Sequence, residues 1–359
     1  MTLKPLSLLF LSLVILTSTI PEEAVSQVHG IVILVSDNEA DLTLAEKVAE
    51  ILNAELVVTP WGLYSESVVD DILEKDPSFV MIIGGPKAVV PEYEKFLENL
   101  GIPKTRIWGE TRVETSRAVV QYLLKDYPSI FKRANIVIIH GWDLPAIVKA
   151  KQMKYSIPIF VSQNVTDIPT IPSNKTIIIE SPYSMAIMVR FRKYLQNVTY
   201  IKAEITPAIA NEAIERAEII IKRAEKMLEE PSPKLPSSIS LLDQAKRLLE
   251  MAKLKFESDN YQEAYILSLR AKLLAEKAIV LSQMSPKAPG IEIQIELRML
   301  QIVASRLEKL GYDVSEVKAL LNKAQEALKA GKISETIQYM NKAKEKLREI
   351  RTHQWRRRR

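Results

Sequence analysis

Two arginines six positions apart are the residues of this sequence whose type and spacing best suit ligand chemistry. The pattern R-x-x-G-x-x-R-x-x-T is formed by Arg106, Gly109, Arg112 and Thr115. A guanidinium group donates planar, paired hydrogen bonds that match carboxylates and phosphates, so both arginines could bind an anionic ligand. Alternatively, they pair with nearby glutamates or with a neighbouring repeat and stabilise the packing.

A glycine pair stands upstream of this pattern, at the end of an apolar run. Residues 79–83 are apolar, and Gly84-Gly85-Pro86 follows them. Backbone N–H groups at such a turn could bind an anion, although the sequence has neither G-x-x-x-x-G-K-[ST] nor G-x-G-x-x-G. The glycines also fit a tight turn after a buried strand, or a turn that lines a ligand crevice at the strand ends.

Carboxylates recur at matching places, with Asp41 and Asp143 each following an apolar run. A carboxylate at a helix start caps the helix, and Asp143 is also a candidate ligand contact beside Trp142, which could stack on a sugar ring. His140 has no second histidine nearby, whereas a catalytic zinc usually takes three protein ligands rich in histidine. No pair of acids is placed so as to recommend a glycosidase. We therefore predict no catalytic residue, metal or cofactor.

The elements that must position these residues follow from the hydrophobic pattern. Short apolar runs alternate with helical patterns through residues 31–202. This alternation predicts an α/β module, a parallel sheet of βα units with helices on both faces. The predicted strands are 31–36, 55–59, 79–83, 135–139, 158–162, 175–180 and 198–202. The predicted helices are 42–53, 65–75, 112–127, 145–153 and 185–195.

The second half of the module is a degenerate copy of the first. Residues 31–36 match 136–141, and 56–59 match 158–161. We therefore expect a first repeat at 27–101 and a second at 102–204. The first repeat lacks an R-x-x-G header, and the second has Glu180-Ser181-Pro182 in place of the glycine pair.

These motifs, in this order, resemble the cell wall-binding repeat 2 family of surface proteins. The resemblance covers about half of the chain and uses the strand ending in Gly84-Gly85, the helix after it and the R-x-x-G-x-x-R-x-x-T pattern. It implies a non-enzymatic α/β repeat that attaches a secreted protein to an anionic envelope polymer. On that reading, Arg106, Arg112 and the loops after the glycine pair contact the polymer.

From residue 205 onward the composition favours helices. Apolar stripes at three- and four-residue steps predict helices at 207–229, 239–257, 260–283, 291–310, 314–330 and 333–350. Residues 248–275 align with 320–347 without a gap, which indicates two three-helix units within 205–351, stacked so that each completes the other's core. The basic tail 352–359 is expected to be disordered.

Composition and local motifs indicate export. Residues 1–26 have the charged start, apolar core and small-x-small end of a signal peptide, either cleaved or retained as an anchor. The chain has no cysteine, which excludes disulfides and thiolate chemistry. Three N-x-[ST] sequons are glycosylation candidates in an exported protein, at Asn164, Asn174 and Asn197.

The sequence thus predicts a secreted cell-surface protein. Its α/β repeats would attach it to an anionic polymer or glycan of the cell envelope, and its helices would act as a spacer or bind a surface-layer protein or a second copy. No nucleic-acid partner and no membrane span after the signal are expected. The alternatives are an envelope glycan or peptide hydrolase, and an exported receptor for a small solute in a crevice at the strand ends.

Overall fold

The computed structural model describes residues 30–163, 171, 175–192, 195, 198–229, 235–283 and 291–357. Within these residues the strands form two parallel sheets of four strands each, and six helices follow them. The predicted fold class, an α/β module of degenerate repeats followed by an all-helical region, is confirmed.

The first sheet has the strand order β2-β1-β3-β4. Its strands are β1 (Ile31–Ser36), β2 (Glu55–Thr59), β3 (Phe79–Ile83) and β4 (Lys104–Ile107). The helices of this part are α1 (Glu39–Leu52), α2 (Glu66–Glu74), α3 (Glu92–Asn99) and α4 (Arg112–Asp126). All of its strand pairs are parallel.

Both faces of the first sheet are covered at its two central strands, which explains why β1 and β3 are almost continuously apolar. Side chains alternate between the two faces of a strand, and β1 divides its residues accordingly. Ile33 and Val35 belong to one core with α1 and α4. Val32 and Leu34 belong to another core with α2 and α3. The predicted helices on both faces of the sheet are therefore present.

The second sheet repeats the first, with the order β6-β5-β7-β8. Its elements are β5 (Asn135–His140), α5 (Leu144–Lys151), β6 (Ser156–Val161), β7 (Lys175–Glu180), α6 (Met185–Arg192) and β8 (Val198–Lys202). A short 3-10 helix, Pro128–Lys132, leads into β5. The copies correspond closely, since Asp37 N donates to Thr59 O after β1, and Gly141 N donates to Val161 O after β5.

One strand was missed, and it moves the boundary between the repeats. Residues Lys104–Ile107 form β4, which pairs with β3 at the edge of the first sheet. Three of its four residues are only partly buried, so it lacks the apolar run that marked the other strands. Arg106 therefore belongs to the first repeat rather than heading the second. One apolar core also runs from the first sheet through α4 to the second.

The helical region follows the prediction in its elements and departs from it in their packing. The helices are α7 (Pro207–Glu229), α8 (Pro236–Glu257), α9 (Tyr261–Gln283), α10 (Ile291–Lys309), α11 (Ser315–Lys329) and α12 (Ile333–Arg357). Among the residues described, the two three-helix units pack into different cores instead of completing each other's. Apolar side chains of α10, α11 and α12 pack on α2 and α3, whereas α7, α8 and α9 share a separate core.

Three predictions concern the ends of the chain and its loops. Helix α12 continues to Arg357, into the tail that we expected to be disordered. The segment 1–26 and the acceptor residues Asn164, Asn174 and Asn197 lie outside the described residues. In the segments that the structure does describe, no helix combines the length and apolar character needed to cross a membrane.

The turn between β4 and α4 depends on a glycine. Thr111 and Glu114 form a capping box at the start of α4, and this brings Glu114 against Gly109. A Cβ atom added to Gly109 would lie 2.2 Å from Glu114 Cβ and 2.7 Å from its carbonyl carbon. Because backbone is one of the clashing groups, rotating a side chain cannot relieve the overlap.

Gly109→Ala should therefore destabilise the protein by about 3 kcal/mol, since overpacking against backbone forces the turn to move. The matched change Gly311→Ala meets open space at φ +89° and should cost only about 1 kcal/mol of left-handed strain. Chemical denaturation of both variants measures the difference. Equal stabilities would contradict the close packing of this turn.

Candidate functional site

A cleft of about 450 Å³ opens at the carboxyl ends of β1, β3 and β4. The chain leaves β1 toward β2 and later returns to β3 on the other side, so the cleft lies at the topological switch point where open α/β sheets bind ligands. The second repeat and α9 complete its wall. The lining residues used below are Asn38, Asp41, Trp61, Gly85, Trp108, Arg112, Trp142 and Glu276.

The two motifs found in the sequence meet at this cleft. Gly84 has φ +121°, a conformation that favours glycine, and turns the chain away from β3. A Cβ atom on Gly85 would lie 2.9 Å from Trp108 Cε3. The absence of a side chain at Gly85 therefore allows the indole of Trp108 to lie against the turn.

The side chain of Arg106 is buried and makes its hydrogen bonds within the protein. Its guanidinium donates to Gly84 O at 2.8 Å, to Val89 O at 3.0 Å and to Glu94 at 2.8 Å. Its side chain is 9% exposed. Arg106 thus holds the glycine turn and the start of α3 together. This is the structural role that the sequence offered as the alternative to binding an anionic ligand.

Gly109 and Thr115 complete the same structural motif. Gly109 N lies 3.1 Å from Thr115 Oγ1, and that hydroxyl lies 3.3 Å from Gly109 O. These contacts tie the β4 turn to the first turn of α4. Contacts within the turn therefore explain the spacing of Gly109 and Thr115 in the R-x-x-G-x-x-R-x-x-T pattern, whereas both arginines bind residues elsewhere in the chain.

Arg112 joins the two repeats at the wall of the cleft. It donates to Glu39 at 3.1 Å and to Gly141 O at 2.9 Å, and its guanidinium lies 4.9 Å from the centre of the Trp142 ring. Burial alone would lower the pKa of Arg112, but Glu39, Glu276 and Asp41 raise it above its ordinary value. Arg112 is thus a cation held among carboxylates.

Helix α9 is anchored in this carboxylate cluster. Lys272 pairs with Glu39, and it also lies 3.2 Å from Glu276. Asn38 donates to Glu276 at 3.3 Å. Although burial alone would raise the pKa of Glu39, Lys272 and Arg112 hold it well below its usual range. The charge on Glu39 therefore binds α9 to both α/β repeats.

Asp41 faces the cleft without a complete set of partners. It lies in the first turn of α1 and is 8% exposed. Among the described residues, its Oδ1 atom has no hydrogen-bond partner. Burial, then the neighbouring carboxylates Glu39 and Glu276, raise its pKa to about 6, against the lowering effect of Arg112 and Lys272. A buried acceptor of this kind is a candidate ligand contact.

Asp143 occupies the corresponding place in the second repeat, where it is satisfied by the protein. It caps α5 by accepting from Ala146 N at 3.3 Å, and it also accepts from Ser181 N and from the Ser184 hydroxyl. Burial raises its pKa above the ordinary value. The capping role expected for Asp143 is confirmed, and this residue does not line the cleft.

Helix α9 fills the crevice of the second repeat. The Tyr265 hydroxyl donates to Trp142 O and accepts from Leu144 N, both at 3.1 Å. The His140 ring beside it contacts Trp142 and Tyr183. Burial and the nearby Arg112 lower the pKa of His140 to about 4. Of the two related strand-end crevices, the first is thus an open cleft and the second is occupied by the side chain of Tyr265.

Sequence reasoning missed the residues that give the cleft its character. Trp61 and Trp108 were not singled out, although the sequence holds only four tryptophans, and their scarcity was a usable signal. Trp61 N donates to Asp37, which pairs with Arg223 of α7. Glu276 comes from α9, far along the chain, and no local pattern connects it with β1.

In the part of the chain described here, no cluster of three or more histidines or acids could hold a metal ion.

Arg106→Met should destabilise the protein by about 3 kcal/mol, because it leaves two carbonyl groups and the Glu94 carboxylate without their donor. Lys104→Met on the same strand removes a solvent-exposed pair with Glu98 and should cost less than about 1 kcal/mol. Denaturant unfolding tests both variants. A stable Arg106→Met protein that no longer binds envelope polymer would instead make Arg106 a ligand contact.

Comparison with known proteins shows two similar archaeal sequences, each described only as an uncharacterized protein. A protein of Pyrococcus horikoshii is 24% identical over 144 residues, which are 39% of this chain and 42% of that protein. A protein of Methanocaldococcus jannaschii is 31% identical over 281 residues, which are 73% of this chain and 77% of that protein. No family model matches the sequence. At this identity and coverage, the chain belongs to the same family as the Methanocaldococcus jannaschii protein.

Proposed function

We propose that this protein attaches to a glycan of the cell envelope by holding one sugar residue in the cleft at the carboxyl ends of β1, β3 and β4. The observation that carries the proposal is the cleft lining, which combines Trp61, Trp108 and Trp142 with the buried polar residues Asn38 and Asp41. Its volume of about 450 Å³ lies in the range of small-ligand sites.

The chemistry of the lining suits a sugar ring. An indole side chain presents a broad apolar face and one polar edge, and the C–H face of a pyranose can stack on it. Trp108 is 40% exposed, so one side of its ring is accessible. Asn38 and Glu276 supply a neighbouring amide and carboxylate that can bind sugar hydroxyls.

In this proposal Arg106 and Arg112 stabilise the structure, whereas the sequence led us to expect that they contact an anionic polymer. Arg106 binds Glu94 and two backbone carbonyls, and Arg112 is surrounded by carboxylates. The cleft wall also contains the carboxylates of Asp41, Glu110 and Glu276, which would repel an acidic polymer. The favoured ligand is therefore a glycan residue stacked on tryptophan, rather than an anionic group clamped by Arg106 and Arg112.

The helices also have a role in this proposal that differs from the spacer expected from the sequence. Leu273 and Glu276 of α9 line the cleft, so the helical region contributes to binding rather than acting only as a spacer. The secreted, cell-surface location rests on the signal-like segment 1–26 and on the resemblance to the cell wall-binding repeat 2 family. Contact with a surface-layer protein or with a second copy stays a prediction.

A glycan hydrolase is the second candidate, favoured by one specific observation. The carboxyl group of Asp41 has its pKa raised to about 6 beside a cleft with other carboxylates. Such a group can act as a general acid in glycoside cleavage. Release of new reducing ends from envelope glycan, abolished by Asp41→Asn, would establish this activity in place of simple attachment.

Trp108→Ala should weaken binding of the full chain to envelope glycan fragments, measured by sedimentation, by at least about fivefold, because losing a stacking face of this size costs about 1–3 kcal/mol of binding. The binding should change little with salt, since stacking does not depend on charge screening. As a control, Tyr155→Ala removes an aromatic ring that is 61% exposed outside the cleft and should leave binding unchanged. Equal loss in both variants, or no loss in either, would contradict the proposal.

A further inference from the structure

We propose that the sugar bound in the cleft carries a protonated amino group and that the Asp41 carboxylate in the cleft wall pairs with this ammonium. This inference rests on the proposed function, since it names the class of sugar that the same cleft takes. It is carried by the place of the Asp41 carboxylate in the cleft wall, by the charges around it and by the aromatic walls.

The Asp41 carboxylate is buried and forms part of the cleft wall. Asp41 is 8% exposed and lines the cleft wall, and in the described segments its Oδ1 atom has no donor. Its other oxygen, Oδ2, lies beside the glycine turn, 3.7 Å from the place where a Cβ atom of Gly84 would stand. Buried carboxylate oxygens are normally satisfied, so the charge of Asp41 lacks part of the hydrogen bonding that would stabilise it within the protein.

The charges around Asp41 leave one carboxylate without a cation. Three carboxylates meet here, from Glu39 and Asp41 on α1 and from Glu276 on α9, and two cations face them, Arg112 of α4 and Lys272 of α9. Arg112 donates to Glu39, and Lys272 pairs with Glu39 and Glu276. Asp41 is therefore the acid whose charge these pairs leave uncompensated. An ammonium group bound in the cleft would supply the missing positive charge.

The walls favour the same kind of ligand. The faces of tryptophan rings attract cations, and quaternary or primary ammonium groups are bound in this way. Arg112 already lies over one of the rings, that of Trp142, while Trp61 and Trp108 also line the cleft. At the rim, the exposed side chains of Lys87 and Glu110 have opposite signs. An amino sugar satisfies the aromatic walls with its ring and Asp41 with its ammonium.

The proposal has a pH dependence of definite sign. Because burial and the neighbouring carboxylates raise the pKa of Asp41 to about 6, this carboxyl becomes protonated as the pH falls through that value. A protonated Asp41 offers no charge to an ammonium group. Affinity for an amino sugar should therefore rise between about pH 5 and pH 7. In the free protein the pKa of Asp41 is raised from 3.8 to about 6, so stability is lost as the pH rises from about 4 to about 6.

The experiment compares D-glucosamine and D-galactosamine with their neutral N-acetyl counterparts, using the full chain and following tryptophan fluorescence and heat of binding. At about pH 7 the amino sugars should bind at least tenfold more tightly than the N-acetyl sugars, and at about pH 5 most of this preference should disappear. Asp41→Asn should abolish the preference at both pH values, while the surface change Asp71→Asn should keep it.

A second readout shows that the variant is folded. Asp41→Asn removes a buried charge, so its melting temperature at about pH 7 should equal or exceed that of the wild type. Equal binding of amino and N-acetyl sugars, or a preference that survives Asp41→Asn, would overturn this inference and leave the glycan-binding proposal intact. Failure of all four sugars to bind would overturn both.

Discussion

The carboxylate of Glu39 is the group on which the arrangement of this molecule depends. It lies at the start of α1 and is buried between Arg112 and Lys272, which come from α4 and α9. Removing either cation would leave a buried charge without its partner, a change that typically destabilises a protein by several kcal/mol. One side chain therefore joins the first repeat, the helix that leads to the second repeat and the first helical unit.

This junction explains why two similar repeats end in different surfaces. Both repeats have the same strand order and both present a carboxylate after the first strand. Helix α9 crosses both strand-end crevices. In the second repeat, the Tyr265 hydroxyl fills the space and Asp143 is satisfied by serines. In the first, α9 presents Glu276 and leaves a cleft in which Asp41 keeps a free oxygen.

Most of the fold could be predicted from the sequence, because buried parallel strands are continuously apolar and the helices carry regular apolar stripes. Strand β4 could not, since an edge strand such as Lys104–Ile107 is only partly buried. The R-x-x-G-x-x-R-x-x-T spacing was recognised, but contacts between distant residues give Arg106 its partners Gly84 and Glu94. The cleft was foreseen only as a crevice at the strand ends. Its chemistry depends on Trp61, Trp108 and Glu276, which are far apart in the chain.

The carboxyl of Asp41 belongs both to the ion cluster and to the proposed ligand site. Its protonation state shows whether the two cations, Arg112 and Lys272, neutralise only Glu39 and Glu276 or also Asp41. Carbon NMR of the carboxyl groups in the ligand-free protein measures this state, with the Asp41 signal assigned by its loss in Asp41→Asn. We expect that signal to titrate with a pKa of about 6. A pKa of about 4 or below, as in an ordinary or well-paired aspartate, would contradict the uncompensated charge in the cleft wall.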